Sequence, residues 1–248
     1  MPKTRGMKIG ELANPNRFLR IARFAIPLCA GLSALLLAYG FYRGFHTPVE
    51  RDQGTVFRIM FVHVPSAWLA LGIYSLMVIA ALGTLVWRHP LADVAQKAAA
   101  TIGAAFALIC LVTGAIWGRP TWGTYWEWDG RLTSMLVLFL IYLGIIALWR
   151  AFEEPLQAAK AVAILTLVGF INVPIVKFSV DWWSTLHQRA SVFRLDGPTM
   201  HPAYLSPLLV CALGFSFLFA ALLMAAMRNE LMRRRVRTLT LFAAREAR

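Results

Sequence analysis

Six apolar segments, each long enough to cross a lipid bilayer, constrain this chain more than any other feature. They cover residues 24–42, 64–87, 98–116, 132–149, 161–180 and 204–227. A transmembrane helix needs about 20 apolar residues, and in lipid only helices and closed barrels satisfy their backbone hydrogen bonds. The alternating ten-residue strands of a barrel do not occur in the sequence. We therefore expect an all-α membrane protein with six transmembrane helices and no soluble domain.

The distribution of Lys and Arg predicts how these helices are oriented. Of the 25 Lys and Arg residues, 17 lie in the two termini and in the short loops 88–97 and 150–160, and eight lie on the opposite side. Cytoplasmic segments carry such an excess, so both termini are predicted to be cytoplasmic. Topology thus accounts for most of the net charge of +13. No nucleic-acid partner is expected, because the short loops offer no basic groove.

The three cysteines indicate packing rather than redox chemistry. Cys29, Cys110 and Cys211 each lie inside an apolar segment, and no C-x-x-C or C-x-x-C-H motif occurs. Small apolar packing residues are the simplest interpretation. The pattern argues against a thiol oxidoreductase and against a c-type cytochrome with its own haem-attachment site.

Prolines mark two positions where helix geometry should change. We expect Pro65 at the first position of the second helix, where its missing N–H costs nothing. Asn172 and Pro174 fall inside the fifth apolar segment and predict a kink or local unwinding there.

Four of the five histidines are predicted on the outer side, and two have a context suited to metal binding. His63 stands in F-V-H-V-P-S-A-W at the outer end of the second helix, and His187 stands in D-W-W-S-T-L-H-Q after the fifth. A neutral imidazole on a rigid element is a good axial ligand for haem iron, and two could hold it from both faces. His46 and His201 lie in Gly/Pro-rich stretches and are expected in mobile loops.

The segment 117–131, W-G-R-P-T-W-G-T-Y-W-E-W-D-G-R, is unusually rich in tryptophan for an outer loop. Gly123 would let the backbone approach a flat ligand closely, and a helical turn would place Trp122 and Trp126 on one face. Asp129 could fix the loop by accepting hydrogen bonds from an indole N–H or from backbone N–H groups, and Arg119 and Arg131 could bind carboxylates. The candidate ligand-binding residues are Trp117, Arg119, Trp122, Gly123, Tyr125, Trp126, Trp128, Asp129 and Arg131. An ordinary belt of interfacial tryptophans is the alternative.

This segment closely resembles the tryptophan-rich "WWD" signature of the membrane proteins that handle haem in cytochrome c biogenesis. The following Arg-Leu-Thr-Ser, the six predicted helices and the chain length are similar to the haem exporter protein C (CcmC) family. The H-V-P context of His63 and the W-W-x-T-L-H-Q context of His187 extend the resemblance over essentially the whole chain.

The resemblance implies a site and a set of partners. Family members bind b-type haem as a transient cargo at the periplasmic face of the bacterial inner membrane, with 117–131 against the porphyrin and His63 and His187 on the iron. They present haem to the periplasmic chaperone CcmE, whose histidine bonds a haem vinyl group. The ATPase subunit CcmA works with them, together with CcmB and CcmD. The role implied is lyase-like positioning of haem, without a hydrolytic or redox active site.

Two other functions remain as alternatives at this stage. A membrane b-type cytochrome would place pairs of histidines within the bilayer, whereas no histidine here is predicted at the middle of a segment. A solute permease is left open by Asn172 and Pro174, although no internal repeat is evident.

Overall fold

The fold is a bundle of helices, and the computed structural model describes residues 14–246. The described part contains seven α-helices and no β-strand, with a short 3₁₀ helix, Thr55–Ile59, before the second. The α-helices are α1 Pro15–Phe45, α2 Met60–Leu85, α3 Ala92–Trp122, α4 Gly130–Ala151, α5 Pro155–Gly169, α6 Asn172–Trp182 and α7 Pro202–Glu246.

Six stretches of this structure are long and apolar enough to cross a membrane, which confirms the predicted number. The fifth comprises both α5 and α6, because the helix breaks at residues 170–171. Pro174 has no N–H to donate to the Phe170 carbonyl, which accepts the Val173 N–H at 2.9 Å. The side-chain amide of Asn172 donates to the Ser134 carbonyl of α4, also at 2.9 Å. The predicted unwinding therefore occurs, just before the two residues that predicted it.

Pro65 does not begin a helix, contrary to the expectation from its position. The 3₁₀ helix and α2 continue without a break from Thr55, so Pro65 lies inside α2. The next residue, Ser66, donates its hydroxyl to the Val62 carbonyl of the same helix at 2.7 Å. As a result His63 lies within the first turns of a formed helix, on a rigid backbone.

Two buried tyrosines stabilise the centre of the bundle. The rings of Tyr74 in α2 and Tyr142 in α4 meet edge to face, with centroids 5.3 Å apart. Each hydroxyl donates to a main-chain carbonyl of another helix, Tyr74 to Thr166 at 3.1 Å and Tyr142 to Ala70 at 2.7 Å. A side chain at Gly103 of α3 would overlap Tyr142, so the glycine permits this close packing.

Helices α1 and α7 pack along each other through small residues. A Cβ at Gly40 would lie 2.7 Å from the Cys211 sulfur, and one at Gly214 would lie 2.9 Å from Leu37. Cys110 and Cys211 are buried as free thiols and Cys29 is half-buried, in accord with packing roles.

An ion-pair cluster joins α3 to α7 at the end predicted to be cytoplasmic. Lys97 Nζ lies 2.9 Å from Glu230 Oε1, and Arg234 contacts both Glu230 and Asp93, at 3.0 and 2.7 Å. At about 1.5 Å per residue, the 45 residues of α7 extend well beyond the roughly 30 Å hydrocarbon core. The helix therefore continues past its predicted span, 204–227, and its ion pairs beyond that span join it to α3.

Candidate functional site

A cavity of about 510 Å³ lies at the opposite end of the bundle, where α2, α3 and α4 meet the segments 46–59 and 183–201. This volume falls within the range of about 300–1,000 Å³ typical of organic-ligand sites. The wall contains three histidines, three tryptophans and three basic side chains: His63, His187, His201, Trp68, Trp117, Trp122, Arg131, Lys177 and Arg189. The two histidines predicted to bind iron thus face one cavity from different parts of the chain.

The His63 ring is oriented by Thr113 of α3. Its Nδ1 lies 3.1 Å from the Thr113 hydroxyl, which in turn lies 2.6 Å from the carbonyl of Ile109. The hydroxyl proton is committed to that carbonyl, so His63 Nδ1–H is the donor to Thr113. The lone pair of the neutral ring is consequently on Nε2.

The His187 ring is oriented by a carboxylate. His187 Nδ1 lies 3.1 Å from Asp129 Oδ2, with Asp129 only 4% exposed. Burial lowers the pKa of His187 below its ordinary value, and the hydrogen bond to Asp129 offsets this only in part. The ring is therefore neutral near pH 7, with Nδ1–H donating to Asp129 and the lone pair on Nε2.

Asp129 has further partners that fix it in place. Its Oδ1 accepts the N–H of Leu132 at 2.7 Å and so caps the start of α4, while Oδ2 also accepts the N–H of Leu186 at 3.3 Å. Asp129 therefore accepts hydrogen bonds from backbone N–H groups, one of the two possibilities inferred from the sequence. The bond to His187 was not anticipated.

One tryptophan of the aromatic segment stands beside each histidine. The Trp117 and His63 ring centroids are 5.6 Å apart, and those of Trp122 and His187 are 4.8 Å apart, both edge to face. The Trp117 indole N–H donates to Gln53 at 2.7 Å, which fixes its ring against the segment 46–59. Both indoles line the cavity and restrict its shape.

The segment 117–131 is not one loop, contrary to expectation. Helix α3 continues to Trp122, and α4 begins at Gly130, so only residues 123–129 are non-helical. Gly123 ends α3 in a left-handed conformation, with φ of 81°. Trp126 therefore does not follow Trp122 on a helical face, and the idea that both present one face was wrong.

The remaining aromatic candidates lie outside the cavity wall. Trp126 and Trp128 pack edge to face, with centroids 5.4 Å apart. Trp128 is 74% exposed and lines a second cavity of about 630 Å³, together with Asp129 and with Trp183 beyond α6. Tyr125 is exposed and its ring lies beneath Arg119.

The two candidate arginines have different surroundings. Arg119 donates to the Gly123 carbonyl at 2.5 Å and stacks 5.7 Å from the Tyr125 ring, so it braces the turn. Arg131 lines the cavity and makes only long contacts, 3.4 Å each, with Ser179 and the Lys177 carbonyl. Of the two, only Arg131 is placed to meet a ligand in the cavity.

The other histidines are held at helix ends rather than in free loop positions. His46 follows α1, with Nδ1 2.7 Å from the Tyr42 carbonyl, and does not line the cavity. His201 accepts the Ala203 N–H at the start of α7, at 3.2 Å, and does line it. His89 lies at the other end of the bundle, where it accepts the Leu91 N–H.

Sequence reasoning missed several residues that shape this site. Thr113 stands inside a continuous apolar segment, where a threonine carries no signal of its own. Lys177, near the end of the fifth apolar segment, lines the cavity, as does the exposed Arg189. Their positions at and just after the outer end of the fifth apolar segment, on the same side as His187, could have identified these two basic residues.

These features define a class: a multi-pass membrane protein with a cavity at one end of its bundle and two oriented, neutral histidines in its wall. The model of the family "Heme exporter protein C" matches residues 8–242, and the chain belongs to that family.

Relatives from several bacteria agree with this assignment. Heme exporter protein C of Bradyrhizobium diazoefficiens is 58% identical over 238 residues, which cover 96% of this chain and 90% of that protein. The Paracoccus denitrificans protein of that name is 44% identical over 94% of this chain and 97% of its own. The Escherichia coli K12 protein is 44% identical over 88% of this chain and 89% of its own.

Proposed function

We propose that this protein binds haem in the cavity between His63 and His187, at the periplasmic face of the bacterial inner membrane. The relatives carry the name heme exporter, which supports a haem-handling role in cytochrome c biogenesis. The haem is b-type and a transient cargo. The observation that carries the proposal is that both rings have Nδ1 in a hydrogen bond, which leaves the lone pair on Nε2, and that both residues line one cavity.

The cavity residues suit haem in three respects. Neutral imidazoles supply axial ligands for iron, and hydrogen-bonded Nδ1 atoms keep them in the ligating tautomer. Trp117 and Trp122 offer apolar surface for the porphyrin. Arg131, Lys177 and Arg189 provide positive charge for two propionates, which arginine in particular binds through paired hydrogen bonds.

The activity we propose is positioning. Haem is held with its plane and iron fixed, and is handed to the chaperone CcmE, whose histidine becomes bonded to a vinyl carbon. Such fixed geometry accelerates a reaction without any nucleophile or general base on this chain. The remaining aromatic residues, Trp126, Trp128 and Tyr125, lie beside the cavity and are suited to contact the chaperone. CcmA, CcmB and CcmD would complete the membrane complex.

The distribution of histidines favours cargo binding over transmembrane electron transfer. A b-type cytochrome that moves electrons across the bilayer needs haem sites at different depths. In the described chain only His89 lies at the opposite end, where its Nδ1 accepts a main-chain N–H.

Spectroscopy of the purified full chain tests haem ligation. We expect a low-spin spectrum with two histidine ligands, and loss of that spectrum in His63→Ala and in His187→Ala. His89→Ala is the matched control and should keep it. Unchanged haem content and spectrum in both cavity variants would refute the ligand assignment.

Affinity purification from membranes tests the partners. We expect the tagged protein to recover a haem-bearing periplasmic chaperone and an ATPase subunit, with the haem on the chaperone lost in His187→Ala. Recovery of neither partner from intact membranes would contradict the delivery role while leaving haem binding itself unaffected.

A further inference from the structure

The His63 ring has two neutral hydrogen-bond partners on α3, the Thr113 hydroxyl and the main chain of Cys110, and Thr113 is the side chain among them. Thr113, Gly114 and Trp117 form one face of α3 against that ring. A Cβ at Gly114 would lie 3.0 Å from His63 Cε1, so the absence of a side chain there lets the ring approach α3. The Thr113 hydroxyl then meets Nδ1 at 3.1 Å.

The Thr113 hydroxyl acts toward the imidazole only as a hydrogen-bond acceptor. Its single proton points back into α3, where the carbonyls of Ile109 and Cys110 lie 2.6 and 3.2 Å away. Threonine commonly bonds to its own helix in this way. His63 thus donates to a neutral oxygen, the Thr113 hydroxyl, which is itself hydrogen-bonded to carbonyls of α3.

His187 has a different partner. Its Nδ1–H donates to the Asp129 carboxylate, and a carboxylate behind a ligating histidine increases the basicity of the ring more than a neutral oxygen does. The two histidines are therefore chemically unequal, although both line the same cavity.

We propose that Thr113 is a positioning residue that holds His63 as the weaker, exchangeable iron ligand, while Asp129 makes His187 the stronger one. This inference rests on the proposed haem-binding function. A cargo site must both hold haem and release it. When the iron–His63 bond breaks, its electron pair returns to Nε2, and the five-coordinate iron, still held by His187, can accept an incoming ligand.

The rate at which carbon monoxide binds to the ferrous protein measures this exchange, because six-coordinate iron binds it only after one histidine leaves. We compare Thr113→Val, which keeps the shape but removes the acceptor, with Thr113→Ser, which keeps the hydroxyl. Loss of one hydrogen bond should accelerate binding by about two- to tenfold in Thr113→Val and leave Thr113→Ser near wild type. The haem midpoint potential of Thr113→Val should also shift to more positive values.

Each outcome decides a different statement. An unchanged rate and potential in Thr113→Val, with the variant monodisperse and helical, overturns the inference, because weakening His63 would then not affect the ligand that leaves first. Thr113→Ala replaces Thr113→Val if the latter does not fold. If the wild-type protein shows no two-histidine haem spectrum, the proposed function fails, and this inference fails with it.

Discussion

The Asp129 carboxylate and the His187 imidazole form a 3.1 Å hydrogen bond that joins the start of α4 to the segment after α6. Because Asp129 also caps α4 through the Leu132 N–H, the position of His187 is determined by the end of a transmembrane helix. A residue in an irregular segment thereby acquires the rigidity of a helix, which a metal ligand requires.

Asp129→Asn should separate the two roles of Asp129, which are to cap α4 and to hold His187. Asparagine is as good a helix cap as aspartate, so the thermal unfolding temperature should change little. Without the carboxylate behind His187, haem affinity should fall by about 10- to 100-fold, as it does for other ligands that lose such a partner. Titration with haemin measures the affinity. Asp196→Asn is the control, because Asp196 is exposed and pairs only with the nearby Arg194 among the described ion pairs. Equal affinities in the two variants would contradict the assigned role of Asp129.

Trp122 and Trp128 should differ in their contribution to haem binding. Trp122 stands in the cavity wall beside His187, whereas Trp128 lies outside it and is 74% exposed. We expect Trp122→Ala to lower haem content at least several-fold and Trp128→Ala to leave it near wild type. Pyridine haemochrome assays on equal amounts of folded protein measure both. A larger loss in Trp128→Ala would show that haem lies against the exposed side of the segment instead.

A methyl group at position 114 should disturb His63 without altering the rest of the bundle. The added Cβ would lie 3.0 Å from His63 Cε1, so the ring has to move by a few tenths of an ångström. We expect Gly114→Ala to weaken low-spin haem binding. Gly144→Ala on α4, where a Cβ meets nothing within 4 Å, is the matched control for a glycine replaced inside a helix. Identical spectra for both variants would count against close contact between His63 and α3.

Gly123 should be needed for its backbone conformation rather than for contact with haem. It ends α3 at φ of 81°, where a residue with a side chain costs about 1–2 kcal/mol. Gly123→Ala should therefore lower the thermal unfolding temperature, and Gly123→Asn should lower it less because asparagine tolerates this conformation. A Gly123→Ala protein as stable as the wild type would contradict the conformational explanation.

The six membrane-spanning stretches and the two histidines that line the cavity could be predicted from the sequence, because apolar length and motif context are local properties. The end of α3 at Trp122 and the start of α4 at Gly130 were not predicted, although Gly123 and Asp129 are typical residues for ending one helix and capping the next. The Asp129–His187 bond joins residues far apart in the chain and depends on how α4 and α6 pack. The role of Thr113 depends likewise on the approach of α3 to α2, which no local pattern encodes.

Arg131 should select for the carboxylates of haem, whereas Arg119 should not. Arg131 lines the cavity and has only 3.4 Å contacts, while Arg119 is engaged with Gly123 and Tyr125. We expect the wild type to bind haem more tightly than its dimethyl ester, which lacks both negative charges. Arg131→Gln should reduce this preference by about threefold to tenfold, the effect of losing one charge-assisted hydrogen bond when partly exposed. Arg119→Gln should retain the full preference. If Arg119→Gln loses it and Arg131→Gln does not, the propionates lie toward residues 123–125 and the orientation of haem in the cavity is reversed.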